Sequence, residues 1–420
     1  MSNLAIHGGP RTRNKPFPKH PIIGDEERKQ IMDVLDSGNI STFIASPGEN
    51  FLGGKKIKEF EEKFASIIGT KFAVAFNSAS SALHAAVVAV KINPGEEVIV
   101  PPFTFTSTAT SPLMHNAIPV FCDVKRDTYC MNPEKLSEVS GPLTKAIIPV
   151  HLFGHACDMD EIMDFANKKN LRVIEDCAQS IGGEYKNKKL GTIGDCGIFS
   201  FQESKIIMTG EGGMLVTADE EIANIARMIR NHGEVILPTL KHRTYKTELL
   251  GWGYRMTELE AALGIAQLER MDYLISERVK LGTYLASEIN KIDGLSHVKY
   301  DFVKHVYWMF GFRYNEEIIG IQRNLFCDAL KAEGIPCFAG YIEPLYLNPI
   351  YLQRGVYAFK HYNGKAKYEK GLCPVAESLY EKELINTLIC RPPASIEDMQ
   401  DVVNAIHKVI HNKEELKQKE

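Results

Sequence analysis

Asp158-Met-Asp-Glu-Ile-Met-Asp-Phe-Ala-Asn-Lys-Lys169 runs, through Asn170, into Leu171-Arg-Val-Ile-Glu-Asp176. The first stretch reads as an amphipathic helix with Asp158 as its cap. The second reads as a buried strand, Leu171–Glu175, with a carboxylate directly after it. The same alternation extends on both sides. Strands are expected at Lys71–Phe76, Glu97–Pro101, Ile118–Val124 and Ala146–Val150, and helices at Ser80–Val90 and Ser107–His115. Apolar strands separated by amphipathic helices imply an α/β fold whose mostly parallel sheet is covered on both faces. Ligands in such sheets bind beyond the carboxyl ends of the strands. Chemistry is therefore expected just after each strand run.

Further along, Ala218–Asn231, Met256–Leu268 and Ser276–Ile289 read as helices. Beyond them come a strand region, His305–Tyr314, and helices at Gln322–Glu333 and Ile396–Ile410. The division expected is an N-terminal segment 1–30, a large domain 31–275 and a smaller C-terminal α+β domain 276–420. A chain of 420 residues suits two domains, and 44% hydrophobic content is ample for their cores. The net charge of −4 is spread out, without the basic stripe of a nucleic-acid binder. No apolar run approaches the length needed to span a bilayer, and the first residues lack a signal-peptide pattern. Nine cysteines without a C-x-x-C pair argue against a disulfide framework or a zinc site. A cytoplasmic protein with no metal, membrane or nucleic-acid partner is the expectation.

Four segments carry chemistry. In Gly197-Ile-Phe-Ser-Phe-Gln-Glu-Ser-Lys205-Ile-Ile-Met-Thr-Gly-Glu-Gly-Gly213, an apolar strand leads through a polar turn to a lysine and a glycine cluster. Most lysines are solvated surface groups. This one sits among apolar residues and glycines, where desolvation lowers its pKa and frees the amine to form a Schiff base. Asp176 follows a buried strand, and its bland reading is a helix cap. Beside such a lysine, it suits a pyridinium nitrogen, which a carboxylate keeps protonated. Phe76-Asn-Ser78-Ala-Ser80-Ser81 opens a helix with three serines where simple capping needs one, and a helix N-terminus binds phosphate. Phe105, at the end of a strand, is either core or a ring that stacks on a planar ligand. His151, His155 and His232 lack metal-type spacing and read as core or polar wall. Arg255 and Arg391 are able to grip a carboxylate or phosphate, or to be ordinary surface or interface residues.

With these segments in place, the chain resembles the DegT/DnrJ/StrS sugar aminotransferases, which share the fold type I architecture and its seven-stranded, mostly parallel sheet. The resemblance runs from Gly8-Gly-Pro-Arg11 through Phe60-Glu-Glu-Lys-Phe-Ala65 to Arg391-Pro-Pro393. Phe199-Ser-Phe-x3-Lys205-x3-Thr-Gly-Glu-Gly-Gly213 and Glu175-Asp176-Cys-Ala-Gln179 carry it most specifically. It implies pyridoxal 5′-phosphate as cofactor, with Lys205 forming the imine link and shuttling protons. Asp176 then pairs with the ring nitrogen, Gln179 bonds the ring hydroxyl and Phe105 stacks on the ring. Ser78, Ala79, Ser80 and Ser200 hold the phosphate, with Ala79-Ser80 standing where relatives usually have Gly-Thr. Arg255, Tyr341, Tyr346 and His232 are the residues expected on the substrate side. A homodimer with the site at the interface is also implied.

Two departures stand out. Gly251-Trp-Gly253-Tyr-Arg255 lacks the Asn that relatives direct to the partner's phosphate. Pro344-Leu-Tyr346 replaces a frequent Pro-Leu-His, which bears on the substrate pocket. Gln202, the Gly-Gly-Pro start and the insertion at Thr42–Gly54 lean towards the branch that aminates inososes and related keto sugars, which includes an aminocyclohexenone-aromatising synthase. The implied reaction is ping-pong transfer of an amino group from glutamate or glutamine to a keto sugar or cyclitol. The rivals are a sugar dehydratase, in which His replaces the lysine, and a non-catalytic regulator retaining the fold.

Overall fold

Each strand of the central sheet is buried along nearly its whole length. β1 (Phe72–Phe76), β2 (Glu97–Val100), β3 (Ile118–Phe121), β4 (Thr144–Ile147), β5 (Arg172–Asp176), β6 (Cys196–Ser200) and β7 (Gly213–Thr217) pair in the order β1-β7-β6-β5-β4-β2-β3 in the computed structural model. The structure describes residues 2–43, 48–235, 246–298 and 300–417. β2 and β7 are buried at every position, as strands covered on both faces must be. All pairings are parallel except the two made by β7, which runs against β1 and β6. The expected α/β architecture with a mostly parallel seven-stranded sheet is what the chain forms. The reversed strand β7 is absent from the sequence reading, because its five residues begin inside the glycine cluster that reads as a turn.

Helices flank the sheet. α1 (Asp25–Ser37) precedes α2 (Lys55–Ile68), which buries Ile57, Phe60, Phe64 and Ile68 along one stripe. α3 (Ala79–Ala89) and α4 (Ser107–Met114) follow β1 and β2, and α5 (Met159–Lys169) precedes β5. Asp158 does stand at the N-cap position of α5, but its side chain caps nothing. It accepts instead from Lys125 Nζ at 2.5 Å, because an ammonium is a stronger partner for a half-buried carboxylate than a backbone amide. α6 (Glu220–Arg230) is capped by Asp219 and α7 (Glu258–Glu269) by Thr257 with Glu260 in a capping box. The long α8 spans Met271–Ile289.

A second, four-stranded antiparallel sheet joins β8 (Leu295–Ser296), β9 (Phe310–Tyr314), β10 (Phe338–Ala339) and β11 (Leu384–Thr387) in the order β8-β9-β11-β10. α9 (Arg323–Ala332) and α10 (Ile396–His411) pack with it around a core that also takes in Leu4. The aromatic residues Tyr346, Tyr351 and Tyr368 instead join the core of the large sheet, meeting Phe121 edge-on at the end of β3. The strand expected over His305–Tyr314 begins only at Phe310. Residues 305–309 form a loop with Tyr307 at φ 48°. No helix among the described residues is long and apolar enough to cross a membrane.

Candidate active site

Four parallel strands end, and one reversed strand begins, at one edge of the sheet. Beyond β1 come Asn77 and Ser78, the cap of α3. Beyond β2 come Phe105 and the first turn of α4. Asp176 is the last residue of β5, and β6 ends at Ser200 before the turn to Lys205. Because β7 runs backwards, its first residue, Gly213, lies at this same edge, paired with both Phe76 and Ser200. A cavity of about 500 Å³ opens there. Ser78, Ala79, Ser80, Phe105, Asp176, Gln179, Ser200 and Lys205 all line it, together with Tyr341 from the loop after β10.

The charged groups at its floor are matched. Asp176 is buried; its Oδ2 accepts from the Thr108 hydroxyl at 2.8 Å and its Oδ1 from the Ala178 amide at 3.1 Å. Burial pushes its carboxyl above the usual carboxylate range, while these two bonds and Lys205 pull it back. Burial likewise pushes the Lys205 ammonium down to about 8, and Asp176 opposes the shift. The Lys205 Nζ sits over the indole of Trp308, 4.2 Å from the ring centre, and Trp308 Nε1–H donates to the Ser204 carbonyl at 2.9 Å. Gln179 is held at both ends: Oε1 accepts from the Phe153 amide at 2.7 Å, and Nε2 donates to the Tyr341 hydroxyl at 3.1 Å. Burial raises that phenol to about 12, so it stays neutral.

The opposite wall suits an anion. Ser78 Oγ accepts from the Ser81 amide at 3.1 Å. As first-turn positions, Ala79 and Ser80 have amides with no partner inside the helix. Gly213 lies directly behind this turn. A Cβ there would stand 2.4 Å from the Ser78 carbonyl carbon and 2.5 Å from the Ala79 nitrogen, so only glycine lets the two backbones meet. Phe105 presents a ring that is 61% exposed. A planar aromatic ligand bearing a phosphate and an aldehyde fits this set. The phosphate has a helix N-terminus, the ring an exposed aromatic face and a buried carboxylate, and the aldehyde a lysine that loses its proton near pH 8.

Three expected residues stand elsewhere. Tyr346 is fully buried against Phe121, with its hydroxyl donating to Glu377, and it does not reach the cavity. A tyrosine in place of histidine at this position is thus a core residue, driven inward by its ring area. His232, at φ 57°, bonds through its amide to the Trp252 carbonyl, and Arg255 donates to Asn231 at 3.4 Å. Neither lines the cavity of its own chain. His151 and His155 are buried. The His151 Nδ1 accepts from the Cys157 amide, so its Nε2–H donates to Glu175, whose carboxylate also takes three amides of the 191–194 turn. Glu175 and His151 thereby brace the strand under Asp176. Among the described residues, His151, Glu175 and Cys177 bring their ligand atoms close enough for a metal, but both Glu175 oxygens are already occupied.

Thr108 and Trp308 escaped the sequence reading. Thr108 had a faint signal, a hydroxyl in the first turn of a helix after a strand. Trp308 had none, since it joins Ser204 across 104 residues through a loop that reads as a strand.

Known proteins are similar to this chain in sequence and in fold. The DegT/DnrJ/EryC1/StrS aminotransferase family pattern matches residues 22–407. GDP-perosamine synthase from Caulobacter vibrioides is 38% identical over 79% of this chain and 85% of its own. The spore coat polysaccharide biosynthesis protein SpsC of Bacillus subtilis is 33% identical over 93% of this chain and 96% of its own. The aminotransferase from Psychrobacter cryohalolentis, a solved structure, superposes with a TM-score of 0.84 at 31% identity, covering 94% of this chain and 99% of that one. The seven-stranded architecture is that of the fold type I aminotransferases. The chain belongs to the DegT/DnrJ/EryC1/StrS aminotransferase family.

Proposed function

We propose that this enzyme binds pyridoxal 5′-phosphate and moves an amino group from glutamate or glutamine to a keto sugar, by a ping-pong cycle in a homodimer. One observation carries the reading: a lysine whose amine deprotonates at about 8 shares a cavity with a fully buried carboxylate and an open helix N-terminus. Bound there, the cofactor supplies an aldehyde for amines to condense with and a ring that withdraws electrons. Every other task falls to the chain. Lys205 Nζ, neutral for part of the time at physiological pH, would link to the cofactor and, once displaced, would carry a proton from the donor's α-carbon to the cofactor and, in the second half of the cycle, from the cofactor to the carbon being aminated. Asp176 holds a proton on the ring nitrogen, and Thr108 and the Ala178 amide keep that carboxylate aimed. Ser78, Ala79, Ser80 and Ser200 hold the phosphate, and Phe105 covers one ring face. Gln179, fixed by Phe153 and Tyr341, bonds the ring hydroxyl. Tyr341 faces the acceptor. Trp308 excludes water beside the lysine.

Lys205 stands where a dehydratase of this scaffold has histidine, which disfavours that rival. The relatives named for GDP-perosamine and for spore coat polysaccharide support a sugar acceptor, and the first of them supports a nucleotide-linked one. The test is to load the enzyme with the amino form of the cofactor and add ketones while following the cofactor's absorbance. Rapid return with nucleotide-linked keto sugars is expected. Fast reaction with simple keto acids and none with keto sugars would refute the assignment.

A further inference from the structure

Two polar side chains of the active-site cavity have no task in binding the cofactor. Gln202 and Glu211 both line it, and both come from the segment that carries Lys205. The Lys205 amide donates to the Gln202 carbonyl at 2.8 Å, which closes the turn. On the returning side, the Phe201 amide donates to the Gly212 carbonyl at 3.0 Å and the Glu203 amide to the Gly210 carbonyl at 2.9 Å. These bonds set Glu211 across from Gln202, and Gly210, at φ 85°, allows the sharp return. The two side chains offer opposite halves of a hydrogen bond. Gln202 Oε1 accepts from both the amide and the hydroxyl of Ser204, at 2.9 and 2.6 Å. That fills its two lone pairs, so a flip of the amide would forfeit both bonds. The Nε2 end keeps its two N–H donors without an acceptor among the described residues. Ser204 is fixed in turn, because its carbonyl takes the Trp308 indole N–H at 2.9 Å. Glu211 is exposed. The Thr209 hydroxyl holds its backbone carbonyl at 2.5 Å, while its carboxylate has neither a hydrogen bond nor an ion pair among the described residues.

We propose that Gln202 and Glu211 recognise a hydroxyl next to the ketone of the substrate, the amide donating to its oxygen and the carboxylate taking its hydrogen. A group that only accepts, such as a second carbonyl or a phosphate, would use Gln202 alone. One that only donates, such as an ammonium, would use Glu211 alone. A hydroxyl does both and satisfies the pair. Its nearness to the ketone follows from a chain of contacts. Gln202 bonds Ser204, Ser204 bonds Trp308, and the Trp308 ring centre lies 4.2 Å from the Lys205 amine that serves the reacting carbon. A site built to bond a hydroxyl rejects the analogue that lacks it, because its own polar groups are then left unpaired. The pair therefore selects rings with a hydroxyl beside the ketone, as sugars and cyclitols have and simple keto acids lack. The inference rests on the keto-sugar reading for the identity of the substrate.

The probes are a nucleotide-linked 4-keto-6-deoxyhexose, which bears a hydroxyl next to its ketone, and the analogue deoxygenated at that carbon. Both are titrated calorimetrically into enzyme holding the aldehyde form of the cofactor, with which a ketone does not react, so that binding is read without turnover. The wild type should bind the deoxy probe about tenfold to a hundredfold more weakly than its parent, as befits a bond to a charged group. Glu211→Ala and Gln202→Met should each shrink that ratio to about threefold or less, since a cycle of substrate and protein changes isolates the shared bond. Glu211 is exposed, so its variant carries the test even if Gln202→Met disturbs the turn. Equal binding of the two probes by the wild type, or a ratio that survives Glu211→Ala, overturns the proposal. So does a Gln202→Met enzyme that keeps the ratio and instead loses affinity for the cofactor, which would assign that amide to the phosphate. Failure of the keto-sugar reading looks different: neither probe binds, and simple keto acids return the cofactor to its aldehyde form. Both probes bound and aminated alike would leave that reading standing and sink this one.

Discussion

Lys205 and Asp176 are displaced from their ordinary protonation in opposite senses by one cause, burial. The folded lysine loses its proton near 8, whereas in the unfolded chain it keeps it to about 10.5. Between those values the unfolded chain binds more protons, so folding stability rises with pH across that window. Lys205→Met should flatten this rise, read as the difference between denaturation midpoints of wild type and variant at pH 8 and 10. The same amine should capture pyridoxal phosphate at a rate that climbs with pH through about 8. Lys205→Ala should abolish turnover, and borohydride reduction followed by peptide mapping should mark Lys205; label on another lysine would refute the assignment. Asp176 has the reverse sign. Its folded pKa is raised, so its burial costs stability at neutral pH and the cost is relieved as pH falls. Asp176→Asn should therefore melt no lower than wild type, yet lose roughly 10²- to 10⁴-fold in single-turnover amino transfer, the range of a well-placed proton-holding group. Near-wild-type rates would reduce Asp176 to a strand-end structural residue. Both positions were legible in the chain, because a lysine among apolar residues and glycines and an acid at the end of a buried run are local patterns. Tyr346 was not: its residue type suits a pocket or a core, and only the position of Phe121 decides for the core.

At the scale of the element, the phosphate cradle depends on two contacts that work differently. Ser78 caps α3 through the Ser81 amide. Ser78→Ala should cost about 1 kcal/mol of stability, visible in denaturant unfolding, with a modest loss of cofactor affinity. Gly213→Ala should do more. Its Cβ would collide with backbone, not with a movable side chain, so β7 and the start of α3 must part. Cofactor titration should show the larger loss here, and equal effects of the two substitutions would mean that β7 does not set the cradle. The cap was readable in three serines at a helix start, but β7 was hidden, because a reversed strand beginning in glycines has no local signature. α5 gives the converse lesson. Asp158 has the right type and place for a cap, and its side chain still goes to Lys125, a partner that folding brings from 33 residues away.

For the whole molecule, the proposed dimer is the level that a single chain leaves open. Leu250 is 78% exposed beside the Gly251–Arg255 segment, an apolar side chain that an interface would cover. Light scattering should give twice the chain mass of 47.0 kDa. Gly253 has room for a side chain, since a Cβ would meet only the His232 ring at 3.5 Å. Gly253→Asn should then fold normally and tighten cofactor binding, by up to the roughly 1.5–3 kcal/mol of a hydrogen bond to a charged group. Unchanged affinity would show that this segment does not reach the partner's site. The alternation of strands and helices and the mostly parallel sheet, though not its reversed strand β7, were legible in patterns within about twenty residues, since burial on two faces and helix periodicity leave local traces. The Lys205–Trp308 contact and the withdrawal of Tyr346 into the core were decided by the tertiary structure alone. Each depends on groups distant in the chain meeting at low dielectric, where charge, desolvation and fit outweigh what any neighbouring residues prefer.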